Sequence, residues 1–477
     1  MSRLIAGCLV CLCSSTGCGS DGAGGPDLGR GDVDGDRLVG RNLSFPGGSP
    51  IQVGWYDQEL AAPCDFRAAA DGQLRCVPQA RIGTLYYSSP DCAGSSVMQV
   101  EPLCGAGAAA FALILDFAAC PARARVFRLG EPDTSGRVYV LAGGGECIEV
   151  TQADGFSYHA VEEVAPGELV AAEHTPVGAG RLQRYVDVAQ DGAQRLTSEL
   201  RDTELADDCT FTRAADGSLR CVPGETSLDT DFTATSDTTC AGEAALVSPC
   251  VQSGFAVRDD PDACDESTLV YELGEALPDG LALYREIDGV CQEVENELQG
   301  AVMRWVGPEV DPSELVGAEL ELSGDGRVQE RWARLADGTR VFHDFWDSEL
   351  ETTCAGRMLQ DGTIVCSPST SLVVDSYEYF SDPECDQPRS VVVGGQACAA
   401  EGAIAYAYVR DPPECPEYRF HRIAGEVAGD IFILNRDTSE CRALTGSERA
   451  TLGEVGEEID PGSFEVASPG SVLATFP

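Results

Sequence analysis

Eighteen of the 22 cysteines constrain this chain more than any other feature. They fall into three sets of six, and the first members, Cys64, Cys209 and Cys354, stand 145 residues apart. The first set continues through Cys76, Cys92, Cys104, Cys120 and Cys147, and the second through Cys221, Cys240, Cys250, Cys264 and Cys291. The third continues through Cys366, Cys385, Cys398, Cys415 and Cys441. The first-to-second spacing is 12 residues in every set and the fifth-to-sixth is 27, 27 and 26, while the gaps between these drift by two or three. Constant spacing is what a covalent or tightly packed link enforces. The pairing expected is therefore first with second, third with fourth and fifth with sixth, although spacing alone leaves other pairings open. Cytosolic thiols stay reduced, and a metal-binding use would need histidines or C-x-x-C pairs, neither of which recurs with the repeat. The compartment expected is oxidising and extracytoplasmic.

The side chains between the cysteines repeat too. Residues 64–78 match residues 209–223 at 11 of 15 positions, and the third copy keeps Cys354, Asp361, Gly362, Cys366 and Pro368. Asp71-Gly72 and Asp216-Gly217 lie between strand-like runs, the signal of a tight hairpin whose turn needs positive φ. Such a hairpin brings the first two cysteines together. A second hairpin is expected over residues 137–150, with counterparts at 281–294 and 431–444. Long 3.6-residue stripes are missing, and Gly, Pro and β-branched residues punctuate the chain throughout.

The fold expected is all-β, with three disulfide-stapled repeats of about 145 residues and roughly eight strands in each. The divisions read as 1–17 targeting segment, 18–37 flexible tether, and repeats at 38–168, 169–314 and 315–477. Strand-like sequence fills the intervals between copies where tandem domains would carry linkers. If each copy makes two four-stranded sheets, the whole is a six-bladed β-propeller, whose radial repetition protects strand edges. The alternative is a tandem array of three β domains. One pattern counts against a closed ring: an element reads as occurring four times, at Leu38-Val39-Gly40, Leu169-Val170-Ala171, Leu315-Val316-Gly317 and Phe464-Glu465-Val466, where three copies need three.

Arg3, an apolar run over residues 4–13 and the small residues 14–17 precede Cys18. Ten apolar residues are too few to span a bilayer core of about 30 Å, so the run reads as a signal peptide. Small residues before a cysteine resemble a bacterial lipobox, which implies cleavage after Gly17 and acylation of Cys18. Ser15 stands where that consensus prefers leucine. The Gly- and Asp-rich stretch that follows, including Asp32, Asp34 and Asp36, has the composition of a solvated tether.

Charge excludes whole classes of partner. With 79 acidic against 32 basic residues the net charge is -47, which repels phosphate backbones, so nucleic acid is not an expected partner. Every basic residue is arginine, which removes Schiff-base lysine chemistry and the phosphate-cradling lysine loop. The histidines, His159, His174, His343 and His421, occupy unrelated positions in the copies, so no nucleophile–base pair recurs.

The strongest candidate site is a repeated Asp-x-Glu, seven residues before each first cysteine: Asp57 with Glu59, Asp202 with Glu204, and Asp347 with Glu349. Residues two apart on a strand share a face, so each pair would set two carboxylates side by side. Three such pairs about a pseudo-threefold could ligate calcium and bridge the protein to an acidic polysaccharide. The competing reading is a polar strand face opposite Arg75 and Arg220, a position held by Val365 in the third copy.

The motifs Trp55-Tyr56-Asp57-Gln58-Glu59-Leu60 and Phe345-Trp346-Asp347-Ser348-Glu349-Leu350, the Asp-Gly hairpins closing on R-C-x-P, and Tyr86-Tyr87-Ser88-Ser89-Pro90-Asp91-Cys92 with its counterpart ending at Cys385 carry a resemblance. From about residue 38 onward the chain resembles cysteine-rich repeat lipoproteins, without assigned function, of predatory soil bacteria such as myxobacteria. That resemblance implies an envelope location and no activity. The expectation is a non-enzymatic outer-membrane or cell-surface lipoprotein, held in the membrane through Cys18, that binds or scaffolds an external protein or polysaccharide. The alternative is an extracytoplasmic hydrolase of glycosidase type, in which the carboxylates of one copy would be indispensable.

Overall fold

The computed structural model describes residues 32–471 apart from 94–95, 101–109, 118, 143–144, 154–155, 225, 228–232, 235–239, 241–243, 248–249, 251–252, 261–266, 279–282, 288–289, 295–301, 360–361, 370–371, 376–377, 394–402, 410–416, 436–439, 447–451 and 469. The first repeat opens on four antiparallel strands paired in chain order, Leu38–Leu43, Ile51–Asp57, Ala62–Ala68 and Leu74–Pro78. The second repeat builds the same sheet from Leu182–Ala189, Gln194–Asp202, Asp207–Arg213 and Leu219–Pro223. The third uses Val328–Arg334, Arg340–Asp347, Thr352–Met358 and Ile364–Pro368. The Asp-Gly hairpins form as read, with Gly72, Gly217 and Gly362 at φ of 78°, 72° and 85°, a region that costs glycine nothing.

The copies are stitched where one sheet ends and the next begins. The amide of Cys76 donates to the Val170 carbonyl, that of Cys221 to Val316, and that of Cys366 to Glu465. After the first two joints the chain adds a fifth, outer strand to the sheet that follows, Ala172–Val177 and then Gly317–Ser323. The first sheet receives its outer neighbour from the far end of the chain. Ser468 N–H donates to the Ser44 carbonyl at 2.9 Å, and Ser44 N–H donates to Ser471 Oγ at 3.1 Å.

Side-chain packing follows the same circuit. Leu38, Trp55, Cys64 and Cys76 of the first sheet pack against Ala189 and Ala193 of the second. Leu200, Cys209 and Cys221 of the second pack against Ala333, Leu335 and Val341 of the third. Val328, Phe345, Cys354 and Cys366 of the third pack against Leu43 and Phe45 of the first, with the Phe45 and Phe345 rings edge-on at 5.1 Å. Backbones meet there as well: a Cβ on Gly326 would lie 1.9 Å from the Pro46 carbonyl oxygen. The circuit therefore closes, third repeat onto first. The element read as occurring four times occurs three times, because Leu38-Val39-Gly40 is aligned with residues 182–184 of the next sheet while the other three are the joints.

The opposite face of each sheet packs on the second half of its own repeat. Ala62, Val77 and Leu169 meet Phe111, Leu113 and Val126; Val222 and Leu315 meet Val270 and Val310; Val365 and Phe464 meet Ile404, Phe420 and Ile459. These second halves are not the four-stranded blades of a six-bladed ring. They form an eight-stranded sheet, a six-stranded sheet with a separate hairpin, and a closed barrel with a three-stranded sheet. The expected second hairpins are present as Arg137–Leu141 with Cys147–Thr151, Leu283–Ile287 with Val290–Val294, and Phe432–Asn435 with Glu440–Ala443. The described residues hold 38 strands, more than sequence patterning suggests, because several are only two or three residues long.

Seven disulfides lie among the described residues, and they correct part of the expected pairing. First pairs with second in every repeat, at the same Cα separation of 5.3 Å. Third pairs with sixth, as Cys92–Cys147, Cys240–Cys291 and Cys385–Cys441. Fifth does not pair with sixth: Cys120 crosses to Cys250, the fourth cysteine of the next repeat. Strands Arg123–Pro132 and Arg137–Leu141, each paired with other strands of the same sheet, lie between the fifth and sixth cysteines and also hold a spacing constant, without a covalent bond. The third cysteines sit in turns at φ of 51°, 54° and 54°, where the chain swings each thiol to the second hairpin. Cys104, Cys264, Cys398 and Cys415 lie outside the described residues.

Candidate functional site

Asp57, Asp202 and Asp347 each close a strand and begin the turn to the next. Their Oδ1 atoms accept the amides two and three residues on, at 3.0 and 3.1 Å for Glu59 and Leu60, with matching bonds in the other copies. An aspartate bonding its own turn in this way competes with the ladder and ends the strand. Residues Ala61, Ala206 and Glu351 then take φ of 50°, 54° and 53° to complete the reversal. The two carboxylates of Asp-x-Glu therefore do not share a strand face. The aspartates have no exposed surface, whereas the Glu59, Glu204 and Glu349 side chains are 71%, 68% and 68% exposed.

An arginine joins the pair in every copy. Arg37 meets Asp57 through Nε and Nη2, both at 2.7 Å, and Glu59 through Nη1 at 2.8 Å. Arg181 and Arg327 repeat this with Asp202 and Glu204 and with Asp347 and Glu349, at 2.8–3.1 Å between the closest charged atoms. The hydrogen bond that each guanidinium donates to the buried aspartate is the main cause holding all three arginine pKa values above their ordinary value. Each arginine also donates to a carbonyl of the joint leading to the next sheet, at Glu168, Glu314 and Ser463. These carbonyls belong to the short 3-10 turns Pro166–Glu168, Pro312–Glu314 and Pro461–Ser463.

Of the six carboxylates considered for calcium, the aspartates are thus held by arginine and backbone N–H groups and the glutamates by the same arginine, which puts a guanidinium between the two carboxylates of each pair. No cluster of three or more His, Cys, Asp or Glu side chains suited to a metal is found among the described residues. Arg75 and Arg220, the other suggested partners, bond instead to Asp71 and Asp216 and to the Leu169 and Leu315 carbonyls of the joints. The stretch expected to be tether is also engaged at its end. Asp32 Oδ1 accepts the Leu196 amide, Val33 pairs with Gln194, and Asp34 Oδ1 accepts the Gly40 amide.

The three junctions of the circuit differ in detail. Between first and second, Asp191 Oδ2 accepts the amides of Arg37 and Leu38 at 3.0 and 2.6 Å. Between third and first, Glu330 Oε1 accepts the Ser49 amide at 2.6 Å. Between second and third, the matching turn residue Asp337 is exposed and bonds within its own turn to the Thr339 amide. A cavity of about 210 Å³ opens there, lined by Arg181, Leu182, Leu200, Val316, Leu335 and Thr339 among others. Drug-sized pockets run from about 300 Å³ upward, so this one admits water or a small fragment.

One titratable cluster has no counterpart among the described residues of the other copies. His174 Nδ1 meets Asp187 at 2.7 Å and Nε2 meets Glu199 at 3.1 Å, while its ring stacks on Tyr185 at 4.1 Å. Burial works to lower the His174 pKa, but the hydrogen bonds and charges of the two carboxylates together outweigh it and hold the pKa at about 9. Burial, aided by a hydrogen bond to Asp208, pushes Tyr185 up to about 12. An imidazolium with both nitrogens bonded to carboxylates is a poor general base at neutral pH. The geometry makes this an ion-pair cluster on the second sheet.

No helix among the described residues is long and apolar enough to cross a membrane. The seven described disulfides suit an oxidising, extracytoplasmic environment. No curated protein matches the chain. The model of one protein family matches residues 52–464, which takes in all three repeats, and the chain therefore belongs to DUF7481, a family of unknown function.

Proposed function

We propose that this protein is a non-enzymatic, lipid-anchored envelope protein, tethered through Cys18, whose closed ring of sheets is a rigid frame for presenting three outer β units to an external protein or polysaccharide. The observation that carries this reading is the threefold clamp. The recurring Asp-x-Glu pairs are used by every copy to join one sheet to the next, so this repeated chemistry is structural and the variable parts are the outer units. The resemblance to cysteine-rich repeat lipoproteins and the small-residue run before Cys18 support the anchor. A frame locked in this way limits the ordering cost when a presented surface meets a partner.

The test has two arms. Cells making the full chain are fed an alkyne-tagged fatty acid, which should label the wild type and not Cys18→Ala. Residues 19–477, oxidised, are then mixed with intact cells and isolated envelope polysaccharide, with calcium or with chelator. Saturable retention that survives the chelator and persists in Glu204→Gln, which leaves the buried Arg181–Asp202 pair intact, supports a presenting frame. Failure of either the label or the retention removes the corresponding half of the proposal.

A further inference from the structure

We propose that the cavity between the second and third sheets is a site for a short monocarboxylate, its head group held by the backbone amides of Arg181 and Leu182 and its aliphatic tail among Leu200, Val316 and Leu335. The first junction shows what such amides bind. There Asp191, in a hairpin turn of the second sheet, crosses to the first sheet, and its Oδ2 accepts the amides of Arg37 and Leu38. Arg181 and Leu182 are the same two residues one repeat on. Leu182 stands opposite Asp202 as Leu38 stands opposite Asp57, and each arginine clamps the aspartate of its pair. Asp337 is the counterpart of Asp191, because the Leu335–Thr339 bond that closes its turn repeats the Ala189–Ala193 bond. Asp337 nevertheless stays in its own turn, and a cavity of about 210 Å³ opens beside the two amides.

Neither amide is used elsewhere. The Arg181 carbonyl accepts the Thr203 amide, so by the alternation of an antiparallel ladder the Leu182 N–H points away from that strand. The outer strand Ala172–Val177 ends opposite Arg184 and does not reach Leu182. Among the described residues no acceptor meets either N–H.

Charge and shape point the same way. Arg184 also lines the cavity; its Nη atoms donate to the Arg340 and Thr197 carbonyls, while its buried Nε meets no acceptor among the described residues. Hydrogen bonds to an ionised acceptor are about twice as strong as neutral ones, which favours a carboxylate over an amide or alcohol of the same shape. The aliphatic wall takes a short hydrocarbon tail, and the volume excludes a drug-sized molecule.

Hydrogen exchange on the oxidised full-length chain tests this, with sodium propionate as the probe and propionamide at matched ionic strength as the neutral control. A ligand of so few atoms binds with a Kd of about 1 mM. At about 10 mM propionate, exchange at Arg181 and Leu182 should slow about tenfold. Arg37 and Leu38, already bonded to Asp191, should not change. Asp337→Asn, which keeps the acceptor of its turn and removes a like charge from the rim, should lower the Kd about threefold. Gly180→Leu, where a Cβ meets nothing closer than 3.7 Å, should fill the cavity and abolish the slowing; slowing that persists there would overturn the site. So would unchanged exchange at Arg181 and Leu182 in both wild type and Asp337→Asn, or equal slowing by propionamide or chloride. Exchange at these amides as slow as at Arg37 and Leu38 without propionate would mean that Asp337 closes on them itself, which also overturns the proposal.

Discussion

A carboxylate with no exposed surface is stable only where its charge is met, and Asp57, Asp202 and Asp347 each meet theirs in one guanidinium. Removing one partner of such a pair leaves the other buried and uncompensated. Asp202→Asn should therefore cost about 3 kcal/mol in denaturant unfolding. Glu204→Gln, at a mostly exposed position, should cost less than about 1 kcal/mol. Equal losses would refute the division of labour within the pair. His174 offers a pH signature. Its pKa of about 9 lies above the ordinary 6.5, so its contribution is complete below about pH 6.5 and disappears as pH rises through 9. His174→Gln should lower stability at pH 6 by about 1–2 kcal/mol more than at pH 10, the figure discounted because Glu199 faces solvent. A pH-independent difference would show that the imidazole is not charged in the fold. The recurrence of Asp-x-Glu was legible in the sequence and its partner was not. Arg37, Arg181 and Arg327 lie 20 or 21 residues upstream, and the one-residue slip at Arg181 hides the period. The one available signal was an arginine directly before Leu38, Leu182 and Val328.

At the scale of elements, the hairpins were readable because their chemistry is local. Asp-Gly turns, alternating apolar residues and a 12-residue cysteine spacing all lie within one window, and each first-with-second disulfide sits inside such a hairpin. Replacing Cys209 and Cys221 together by alanine should cost about 3 kcal/mol by loop-closure entropy, with the hairpin still formed by its ladder. Amide exchange should then show strands Asp207–Arg213 and Leu219–Pro223 still protected in the variant; their complete loss of protection would mean that the bond, and not the ladder, makes the hairpin. The third-with-sixth bonds were not readable, because they depend on where a turn with positive φ swings Cys92, Cys240 and Cys385. Spacing reports how far apart two cysteines lie along the chain; it is silent on direction.

For the whole molecule, the all-β class followed from missing helical periodicity, while the circuit of sheets rested on contacts between residues 154 to 427 positions apart. The four-element count argued against a ring only because Leu38-Val39-Gly40 resembles the joints in sequence without sharing their place. The outer units diverged furthest from expectation, since an eight-stranded sheet and a closed barrel can both satisfy the same short alternating strands. The ring depends on closure of the third repeat onto the first. Hydrogen exchange read by mass spectrometry, comparing the full chain with one ending at residue 463, tests it most directly. Loss of Phe464, Glu465 and Ser468 removes the bonds to Cys366 and to Ser44 together. Exchange should become faster in the third sheet around residues 364–368 and, more than 300 residues away, in the first sheet around residues 38–49. Faster exchange confined to the third repeat would contradict a closed ring and leave three domains in a row.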